Sequence, residues 1–398
     1  MGNTEILVVG GGIVGAGIAQ AAAAAGYQVT LWERATLGGA TSANSSKLIH
    51  GGLRYLESGQ ISLVKSCLEQ RKALLKLAPD LVQAVPFYIP VYQDSRRGAV
   101  TIAAGLSLYA MLAELEPHGR FQLLPKSQWA TLQGLSLQGL KHVFQYWDGK
   151  THDSQLTRAV AASAGALGAN ILEGVSCDAI YQGARVCQVS GHDGAGNPVE
   201  CRASLVINAC GPWVNGLLER VTPKLVGLPI DWVQGSHLLL DIEPPAGVLY
   251  LESHLDERVV FVIPWEGKTL LGTTETVLSA EPVAPTVTPA EEDYLLAIYG
   301  HYFTDWQESA LRKLIVQRFC GVRVLPKAMG SAFGRSRETI IHSSGSHPGI
   351  ISVYGGKLTE YRVTAQQVLT QIRQQLGTRE AIADVDRLTL PPAEDRLN

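Results

Sequence analysis

Residues 6–33 read ILVVGGGIVGAGIAQAAAAAGYQVTLWE, and this stretch decides the fold of the chain. Four apolar residues predict a buried strand, the motif G-x-G-x-x-G follows at once, and an alanine-rich helix ends at Gly26. Residues 29–32 predict a second strand, which Glu33 closes. A strand, a glycine-rich turn, a helix and a second strand in this order predict a βαβ unit of the Rossmann type.

Each part of this unit suits a dinucleotide. Gly10 permits the tight turn, Gly12 lets the backbone approach a pyrophosphate, and Gly15 lets the helix pack closely against the strand. The phosphates are expected at the positive end of the helix dipole. Glu33 can accept hydrogen bonds from both hydroxyls of an adenosine ribose. The stretch therefore predicts dinucleotide binding, with NAD and FAD as equally good candidates.

The size and charge of the chain exclude some classes of protein. At 398 residues it is too long for one compact core, so two domains are expected. There are 33 lysines and arginines against 36 aspartates and glutamates, a net charge of −3, so no nucleic-acid partner is expected. The six cysteines form no C-x-x-C pair, and no secretory leader precedes them. Reduced thiols, a cytoplasmic location and no metal site are the predictions.

One apolar segment, residues 99–115, follows Arg96 and Arg97. It is shorter than the roughly 18–20 apolar residues that are needed to span a bilayer. We expect a mostly buried core helix, and the flanking arginines keep an interfacial membrane helix as the alternative. In that alternative, a peripheral contact would lie on the inner face of the cell membrane.

The strand pattern divides the rest of the chain. The patterns of residues 170–210 and 350–375 predict further strands and helices of the first sheet. Between them, residues 230–275 are predicted to be mostly strands. The predicted fold class is α/β, with a discontinuous Rossmann-like nucleotide-binding domain and an inserted β-rich substrate domain of antiparallel sheet plus helices. This arrangement is similar to that of flavoproteins, so the first domain is expected to be an FAD-binding domain. Three prolines, Pro79, Pro86 and Pro90, predict only a short strand in the region that they interrupt. The expected boundaries are 1–80, 150–220 and 325–380 for the first domain, 81–149 and 221–324 for the second, and 381–398 for a C-terminal tail.

Eight short segments, in order along nearly the whole chain, together resemble the FAD-dependent glycerol-3-phosphate dehydrogenases of the glycine/D-amino-acid oxidase-like superfamily. The most specific of them is SSKLIHGGLRYLE at 45–57, which is part of a longer match that begins at 40. The others are GGGIVGAGIA at 10–19, NACGPWV at 208–214, GSH at 235–237, RVVFVIPW at 258–265, GTTE at 272–275, GVR at 321–323 and GGKLTEYR at 355–362.

Three features depart from the pattern of that family. Glu275 stands where the family usually has aspartate, and Val324 where it usually has proline. The sequence stops at Asn398, so we expect the additional C-terminal helical domain that is usual in the family to be absent. This last departure leaves a homodimer and a peripheral membrane contact as open questions.

The resemblance implies noncovalent FAD as the cofactor. Residues that match the family's motifs would surround its pyrophosphate, its adenosine and its isoalloxazine. They are Gly10, Gly12, Ile13, Gly15, Glu33, Thr41, Ser42, Ser45, Ser46, Lys47, Leu48, Val175, Gly211, Gly356, Lys357, Leu358 and Thr359.

The resemblance also implies sn-glycerol 3-phosphate, or a similar phosphorylated small molecule, as the substrate. Because this substrate is a dianion, its pocket should concentrate cations, and arginine can grip a phosphate with two hydrogen bonds. The cations expected there come from separate segments, with Tyr55 as a further candidate beside them. They are Arg54, Arg323, Arg337 and Lys357.

The implied reaction is that of an FAD-dependent glycerol-3-phosphate dehydrogenase. Hydride would pass from C2 of the substrate to N5 of the flavin while a base takes the hydroxyl proton, and the electrons would pass to a quinone or another acceptor. His50 and His237 are the candidate bases, and Arg323 could polarise the developing alkoxide. Two further functions stay open: a flavin oxidase of amino acids or 2-hydroxy acids on the same fold, and a catalytically inactive FAD-binding homologue.

Overall fold

The computed structural model describes residues 2–327 and 338–392. The helices in these ranges are α1 (Ile13–Ala24), α2 (Ile61–Leu77), α3 (Ala99–Leu112), α4 (Asp153–Ala166), α5 (Val214–Leu218), α6 (Pro289–Tyr302), α7 (Glu308–Lys313) and α8 (Tyr361–Leu376). The strands are β1 (Gly2–Val9), β2 (Val29–Glu33), β3 (Leu48–Ile49), β4 (Val82–Tyr92), β5 (Gln122–Leu123), β6 (Leu140–Thr151), β7 (Asn170–Glu173), β8 (Ser176–Gln182), β9 (Cys187–His192), β10 (Pro198–Asn208), β11 (Val221–Thr222), β12 (Ile230–Leu240), β13 (Val248–Glu252), β14 (Val259–Trp265), β15 (Lys268–Gly272), β16 (Thr276–Leu278), β17 (Ile315–Pro326), β18 (Ile340–Ser344) and β19 (His347–Tyr354).

The first sheet is centred on the βαβ unit predicted at the N-terminus. Its parallel strands run in the order β7-β2-β1-β10-β19. The first half of β10 pairs antiparallel with β9, which continues to β8 and β11, and β18 pairs antiparallel with β19. Because parallel strands end at the same edge of a sheet, the turns after β1, β10 and β19 lie side by side.

The alanine-rich sequence of α1 has a packing reason. This helix packs against α4 and α8, and all its residues except Val14 are buried. Small side chains let the three helices approach one another and the sheet. A β-carbon added to Gly17 would lie only 2.6 Å from the ring of Tyr361 on α8. The interior of this half of the molecule is therefore made by close backbone approach as well as by large side chains.

The second sheet is mostly antiparallel and runs in the order β16-β12-β15-β14-β13-β4-β6-β3. Strand β17 pairs along the length of β12, and β5 pairs with β6. Both faces of this sheet are covered. Leu238 and Leu240 of β12 pack in one core with α6 and α7, whereas Leu239 packs in another with α2 and α3. This alternation follows from the two-residue period of a strand.

The predicted α/β class, with a discontinuous Rossmann-like sheet and an inserted β-rich part, is confirmed. The domain boundaries stay a prediction, and two strands fall across them. Strand β3 lies inside the expected range 1–80 yet pairs in the second sheet, and β11 lies just beyond 220 yet pairs in the first. In the expected tail, Ile382 donates its N–H to Ala24, and the buried Leu390 donates its N–H to Leu77.

The expectation of a short strand around the three prolines is wrong. Strand β4 is eleven residues long and includes Pro86 and Pro90. Antiparallel pairing with β6 continues past both prolines. On its other side, β4 pairs with β13 at only two positions, Phe87 and Tyr88, so the missing N–H groups interrupt little pairing there.

The expectation of a mostly buried helix over 99–115 is also wrong. Helix α3 buries one face, through Ile102, Leu106 and Tyr109, and leaves the other exposed. Val100 is 85% exposed and Met111 is 67% exposed. Among the described residues, no helix combines the length and the apolar character that crossing a membrane requires.

Candidate active site

A cavity of about 700 Å³ lies at the edge of the first sheet where β1, β10 and β19 end. Its walls come from both sheets, because the turns after those strands face β12 and β17 of the second sheet. Fifteen of the seventeen residues predicted to surround the cofactor line this cavity. The two that do not are Gly15 and Lys47.

The first turn of α1 is shaped to receive an anion. Gly10 has φ +107°, and a β-carbon on Gly15 would lie 1.9 Å from the carbonyl oxygen of Gly10, so the turn tolerates no side chain at Gly15. Helix α1 begins after Gly12, which provides no side-chain cap. The hydroxyl of Ser42 accepts a hydrogen bond from the N–H of Ile13 at 2.9 Å. The helix end therefore presents N–H groups and a hydroxyl to the cavity.

Glu33 is held in a fixed orientation at the end of β2. One carboxylate oxygen accepts the N–H of Gly11 at 2.7 Å, and the other accepts the N–H of Ala35 at 2.9 Å. The carbonyl of Glu33 accepts the N–H of Val175, which is buried and also lines the cavity. This arrangement places a carboxylate with spare acceptor positions where a ribose is expected.

One wall of the cavity includes two glycines, Gly211 and Gly356, which contribute backbone without side chains. Gly211 has φ +55°, and a β-carbon there would meet open space within 4 Å. Gly356 has φ +112°, and a β-carbon there would lie 2.6 Å from Val14. Leu358 and Thr359 continue this wall. A flat ring system can approach such a wall closely, so the residues present fit the isoalloxazine of FAD.

Several of the predicted polar side chains are turned toward other parts of the protein. Thr41 donates to the carbonyl of Val322 at 2.7 Å. Ser45 donates to the carboxylate of Asp153 at 2.6 Å, and the ammonium of Lys47 lies 2.8 Å from the same carboxylate. Lys47 therefore forms a buried ion pair, and its charge is not presented to the cavity.

A second, smaller cavity of about 120 Å³ adjoins the large one. Its charged lining includes Arg54, Arg258, Arg323 and Glu275, and aromatic rings complete its walls. Five residues line both cavities and so mark where they meet: Ser46, His50, Tyr55, Thr273 and Arg323.

The predicted cations divide between the two cavities. Arg54 lines the small cavity, Arg323 lines both, and Lys357 lines only the large one. Lys357 is 2.8 Å from the carboxylate of Glu360, and its ammonium lies 5.2 Å from the centre of the Tyr55 ring. Arg337 lies outside the described residues.

Arg323 carries an unusual electrostatic environment for an arginine. Burial lowers its pKa, the nearby Tyr55 opposes that effect, and the positive charge of Arg54 adds to it. The guanidinium lies 3.3 Å from the carboxylate of Glu275. Cations gathered in one small space repel each other, so a bound dianion would relieve that repulsion.

Sequence reasoning missed Arg258 as a site residue. It lies at the start of the segment RVVFVIPW, directly before β14, and it lines the small cavity. Its ion pair with Asp256 and its position 4.1 Å from the centre of the Tyr294 ring hold it in place. The only sequence signal was its membership of a matching segment.

The two candidate bases lie in different surroundings. His237 is buried, stacks on Phe319 with ring centres 5.0 Å apart, and has Nε2 2.9 Å from the hydroxyl of Ser46. Burial, with the positive charges of Lys47 and Arg323, lowers the pKa of His237 to about 3. A histidine with so low a pKa accepts a proton poorly near neutral pH. His50 lines both cavities, at the point where they meet.

All six cysteines lie among the described residues, and all are free thiols. Cys210 lines the large cavity, donates to the carbonyl of Val9, and has its pKa raised by burial. A protonated, engaged thiol is a poor nucleophile.

Comparison with known proteins gives consistent results. The family model described as "FAD dependent oxidoreductase" matches residues 5–362. Glycerol-3-phosphate dehydrogenase of Synechocystis sp. is 34% identical over 97% of this chain and 72% of that protein. D-erythritol 1-phosphate dehydrogenase of Brucella abortus is 31% identical over 93% of this chain and 73% of that protein. The structure of glycerol-3-phosphate dehydrogenase from Bacillus halodurans complexed with FAD is similar with a TM-score of 0.78 and 25% identity, over 99% of this chain and 68% of that one.

Proposed function

The chain belongs to the family of FAD-dependent oxidoreductases, and on that premise we propose that it oxidises sn-glycerol 3-phosphate to dihydroxyacetone phosphate. The observation that carries the proposal is the small cavity, where Arg54, Arg258 and Arg323 gather beside the cavity that fits FAD. Arginine recognises phosphate by paired, charged hydrogen bonds. A phosphate held there would place the rest of a three-carbon substrate toward the junction of the two cavities.

FAD, when bound in the large cavity, supplies the hydride acceptor. The residues that would hold it are those of the α1 turn, Glu33 and the glycine wall at Gly211 and Gly356. The pKa of Cys210, which burial raises, supports noncovalent binding, because a thioether requires a reactive thiolate.

Within this proposal, His50 takes the proton of the C2 hydroxyl. It lines both cavities, so its imidazole can face the middle of a substrate whose phosphate lies in the small one. His237 is less suited to the role because its pKa is lowered to about 3. Arg323 also lines both cavities and would stabilise the developing charge on the C2 oxygen.

The direct test is anaerobic reduction of the purified FAD-loaded protein. Glycerol 3-phosphate should bleach the flavin absorbance in a stopped-flow experiment, and the spectrum should return on adding a quinone or another acceptor. A well-loaded protein whose flavin is not bleached would favour an inactive FAD-binding homologue.

A substrate panel separates this function from the oxidation of amino acids or 2-hydroxy acids. The panel contains glycerol 3-phosphate, a four-carbon polyol phosphate, glycine, D-alanine and a 2-hydroxy acid. The four-carbon arm is included because one relative, at 31% identity, is named as a D-erythritol 1-phosphate dehydrogenase. An oxidase of amino or 2-hydroxy acids needs one cation for a carboxylate, whereas Arg54, Arg258 and Arg323 all line the small cavity. If glycine or D-alanine bleached the flavin and glycerol 3-phosphate did not, oxidation of amino acids would replace our proposal.

We propose in addition that the protein makes a peripheral membrane contact, where electrons would reach a quinone. The exposed face of α3 supports it: Val100 and Met111 are exposed on the helix, Leu115 is exposed just after the helix ends, and Arg96 lies just before it begins. An apolar stripe beside a cation is typical of helices that lie in the interface of a bilayer.

Sedimentation with anionic phospholipid vesicles tests the contact. Changing both Val100 and Met111 to glutamate should reduce the bound fraction, whereas glutamate at Val226, which is 73% exposed, should not. Equal binding of all three proteins would remove α3 from the contact. The sequence also leaves a homodimer open. Sedimentation velocity of the same purified proteins decides whether they are dimers.

A further inference from the structure

We propose that Asp153 is a positioning residue of the active site: it holds the bend at residues 45–47 so that Ser46 fixes the imidazole of His237. The effect on turnover rests on the proposed function, whereas the effect on the imidazole does not. Asp153 lies outside both cavities and belongs to none of the segments that marked the site in the sequence.

The carboxylate of Asp153 is dedicated to this bend. It begins α4 and is fully buried. Its Oδ2 accepts the N–H of Ser45 at 3.1 Å and the hydroxyl of Ser45 at 2.6 Å. The ammonium of Lys47 lies 2.8 Å from Oδ1 and 2.9 Å from Oδ2. Beyond these bonds from the bend, Oδ1 accepts the N–H of the adjacent Ser154 at 2.9 Å.

The bend needs such an anchor because its backbone is unfavourable. Lys47 has φ +59°, a region that residues other than glycine rarely adopt. Its ammonium also donates to the carbonyl of Ala43, and its N–H donates to the hydroxyl of Ser45 at 3.1 Å. The ion pair with Asp153 thus closes a loop of bonds around residues 43–47. Without it, the strained conformation of Lys47 loses its main support.

Ser46 lies within the bend and makes the contact that links the bend to His237. Its hydroxyl is 2.9 Å from Nε2 of His237, and both residues line the large cavity. The other ring nitrogen of His237, Nδ1, is buried with no hydrogen-bond partner among residues 2–327 and 338–392. The hydroxyl can donate to Nε2 or accept from it. In the described part of the chain, Ser46 is the polar contact of the ring nitrogens of His237, so we use the balance of tautomers as the readout of this contact.

A second path leads from the ion pair to the same ring. The ammonium of Lys47 lies 5.0 Å from the centre of the Phe319 ring. Phe319 stacks on His237 with ring centres 5.0 Å apart and planes tilted by 11°. Asp153 therefore orients both Lys47, which lies over the Phe319 ring, and Ser46, which contacts Nε2 of His237. Both residues of the bend thus act on the imidazole of His237, Lys47 through Phe319 and Ser46 directly.

The test reads the imidazole directly, in FAD-loaded protein labelled with ¹⁵N-histidine. The Nδ1 and Nε2 shifts of His237, assigned with His237→Gln, report the balance of tautomers. We expect one dominant tautomer in the wild type and a mixture in Ser46→Ala. Asp153→Asn should give the same mixture, and the double variant Ser46→Ala/Asp153→Asn should shift it no further.

Matched controls separate positioning from general stability. Asp148→Asn breaks another buried ion pair, with Arg71, and should lower the melting temperature while leaving the His237 shifts unchanged. If Asp153→Asn alone does not fold, Asp153→Asn/Lys47→Met removes both charges, and Ser45→Ala loosens the bend with the ion pair intact. Both should show the tautomer mixture.

Kinetics add an independent readout. Ser46 lines both cavities, where the reacting carbon is proposed to lie. Ser46→Ala and Asp153→Asn should therefore each lower kcat for glycerol 3-phosphate severalfold with little change in KM, and the double variant should match the more affected single variant. Wild-type His237 shifts in Asp153→Asn, or fully additive losses in the double variant, would overturn the inference. If no substrate reduces the flavin, the proposed function fails, and the NMR result still decides the role of Asp153.

Discussion

The guanidinium of Arg323 lies 3.3 Å from the carboxylate of Glu275, and both side chains line the small cavity beside the cofactor site. A carboxylate is thus placed among arginines where a phosphate is proposed to bind. The pair places one negative and one positive charge beside the proposed phosphate position. Removing the positive charge and removing the negative charge should therefore have opposite effects on the affinity for the substrate.

Arg323→Ala should raise KM for glycerol 3-phosphate strongly, and it should also lower kcat because the same guanidinium is proposed to stabilise the developing charge on the C2 oxygen. A charged hydrogen bond to the phosphate contributes about 1.5–3 kcal/mol, which corresponds to roughly a 10- to 150-fold change. Arg318→Ala is the matched control, since Arg318 lies on the same strand but pairs with Glu292 away from either cavity. Steady-state kinetics check the prediction, and an Arg323→Ala enzyme with unchanged constants would remove Arg323 from the pocket.

Glu275→Gln should lower KM for glycerol 3-phosphate. The substitution keeps the shape of the side chain and removes a negative charge that repels the dianion, a gain of about 1 kcal/mol or roughly fivefold at a partly screened site. The effect should shrink as salt is added, because screening weakens the repulsion. A higher KM would show instead that the carboxylate is needed to hold Arg323.

Gly15→Ala should reduce the amount of FAD that copurifies with the protein. A β-carbon there would lie 1.9 Å from the carbonyl oxygen of Gly10, so α1 must move away from the turn that receives the phosphates. Gly105→Ala is the control, because Gly105 lies within α3 and a β-carbon there meets open space. The ratio of flavin to protein absorbance measures the outcome. Equal loading of both variants would contradict the packing argument.

His237 should make stability depend on pH on the acid side of neutrality. Burial lowers its pKa from 6.5 to about 3, so the unfolded chain binds the proton more readily than the folded one. Stability is then lost as the pH falls from about 6.5 toward 3, with a slope of at most about 1.4 kcal/mol per pH unit. About one pH unit above 6.5 and higher, both states are neutral at this residue, and the slope vanishes.

Urea unfolding of the wild type and of His237→Gln at about pH 7.5, 6 and 5 checks this prediction, with the slope taken from linkage. The wild type should lose more stability than the variant between pH 7.5 and 6, and the difference between the two proteins should grow further between pH 6 and 5. Parallel behaviour throughout would mean that His237 keeps an ordinary pKa.

Asp148→Asn should destabilise the protein strongly. Asp148 is buried against Arg71 at 2.7 Å and also accepts the hydroxyl of Tyr109. Leaving Arg71 buried without its counter-charge costs about 3–5 kcal/mol. Glu114→Gln, which breaks an exposed pair with Lys72, should cost no more than about 1 kcal/mol. Thermal unfolding of both variants measures the contrast, and similar melting temperatures would refute it.

Local sequence patterns predict some residues of the site and miss others. The glycine turn and Glu33 were predictable, because a strand, a turn and a helix of fixed spacing have few ways to fold. Lys47 was placed beside the cofactor because it lies in the matching segment SSKLIHGGLRYLE, whereas its side chain turns to Asp153, far away in the chain. Arg258 was passed over because its one sequence signal, membership of the segment RVVFVIPW, does not say which residue of that segment lines a cavity. Partners distant in the chain decide where a charged side chain points.

The sequence by itself determined the nucleotide-binding βαβ unit, the α/β class and the interrupted order of the two sheets. Periodicity, glycine positions and strand composition act over short stretches and need no partner to be recognised. Only the tertiary structure decided that three arginines meet in one cavity, that α3 exposes an apolar face, and that His237 is buried beside Lys47 and Arg323. Burial and charge are properties of surroundings, and the surroundings exist only after the chain has folded.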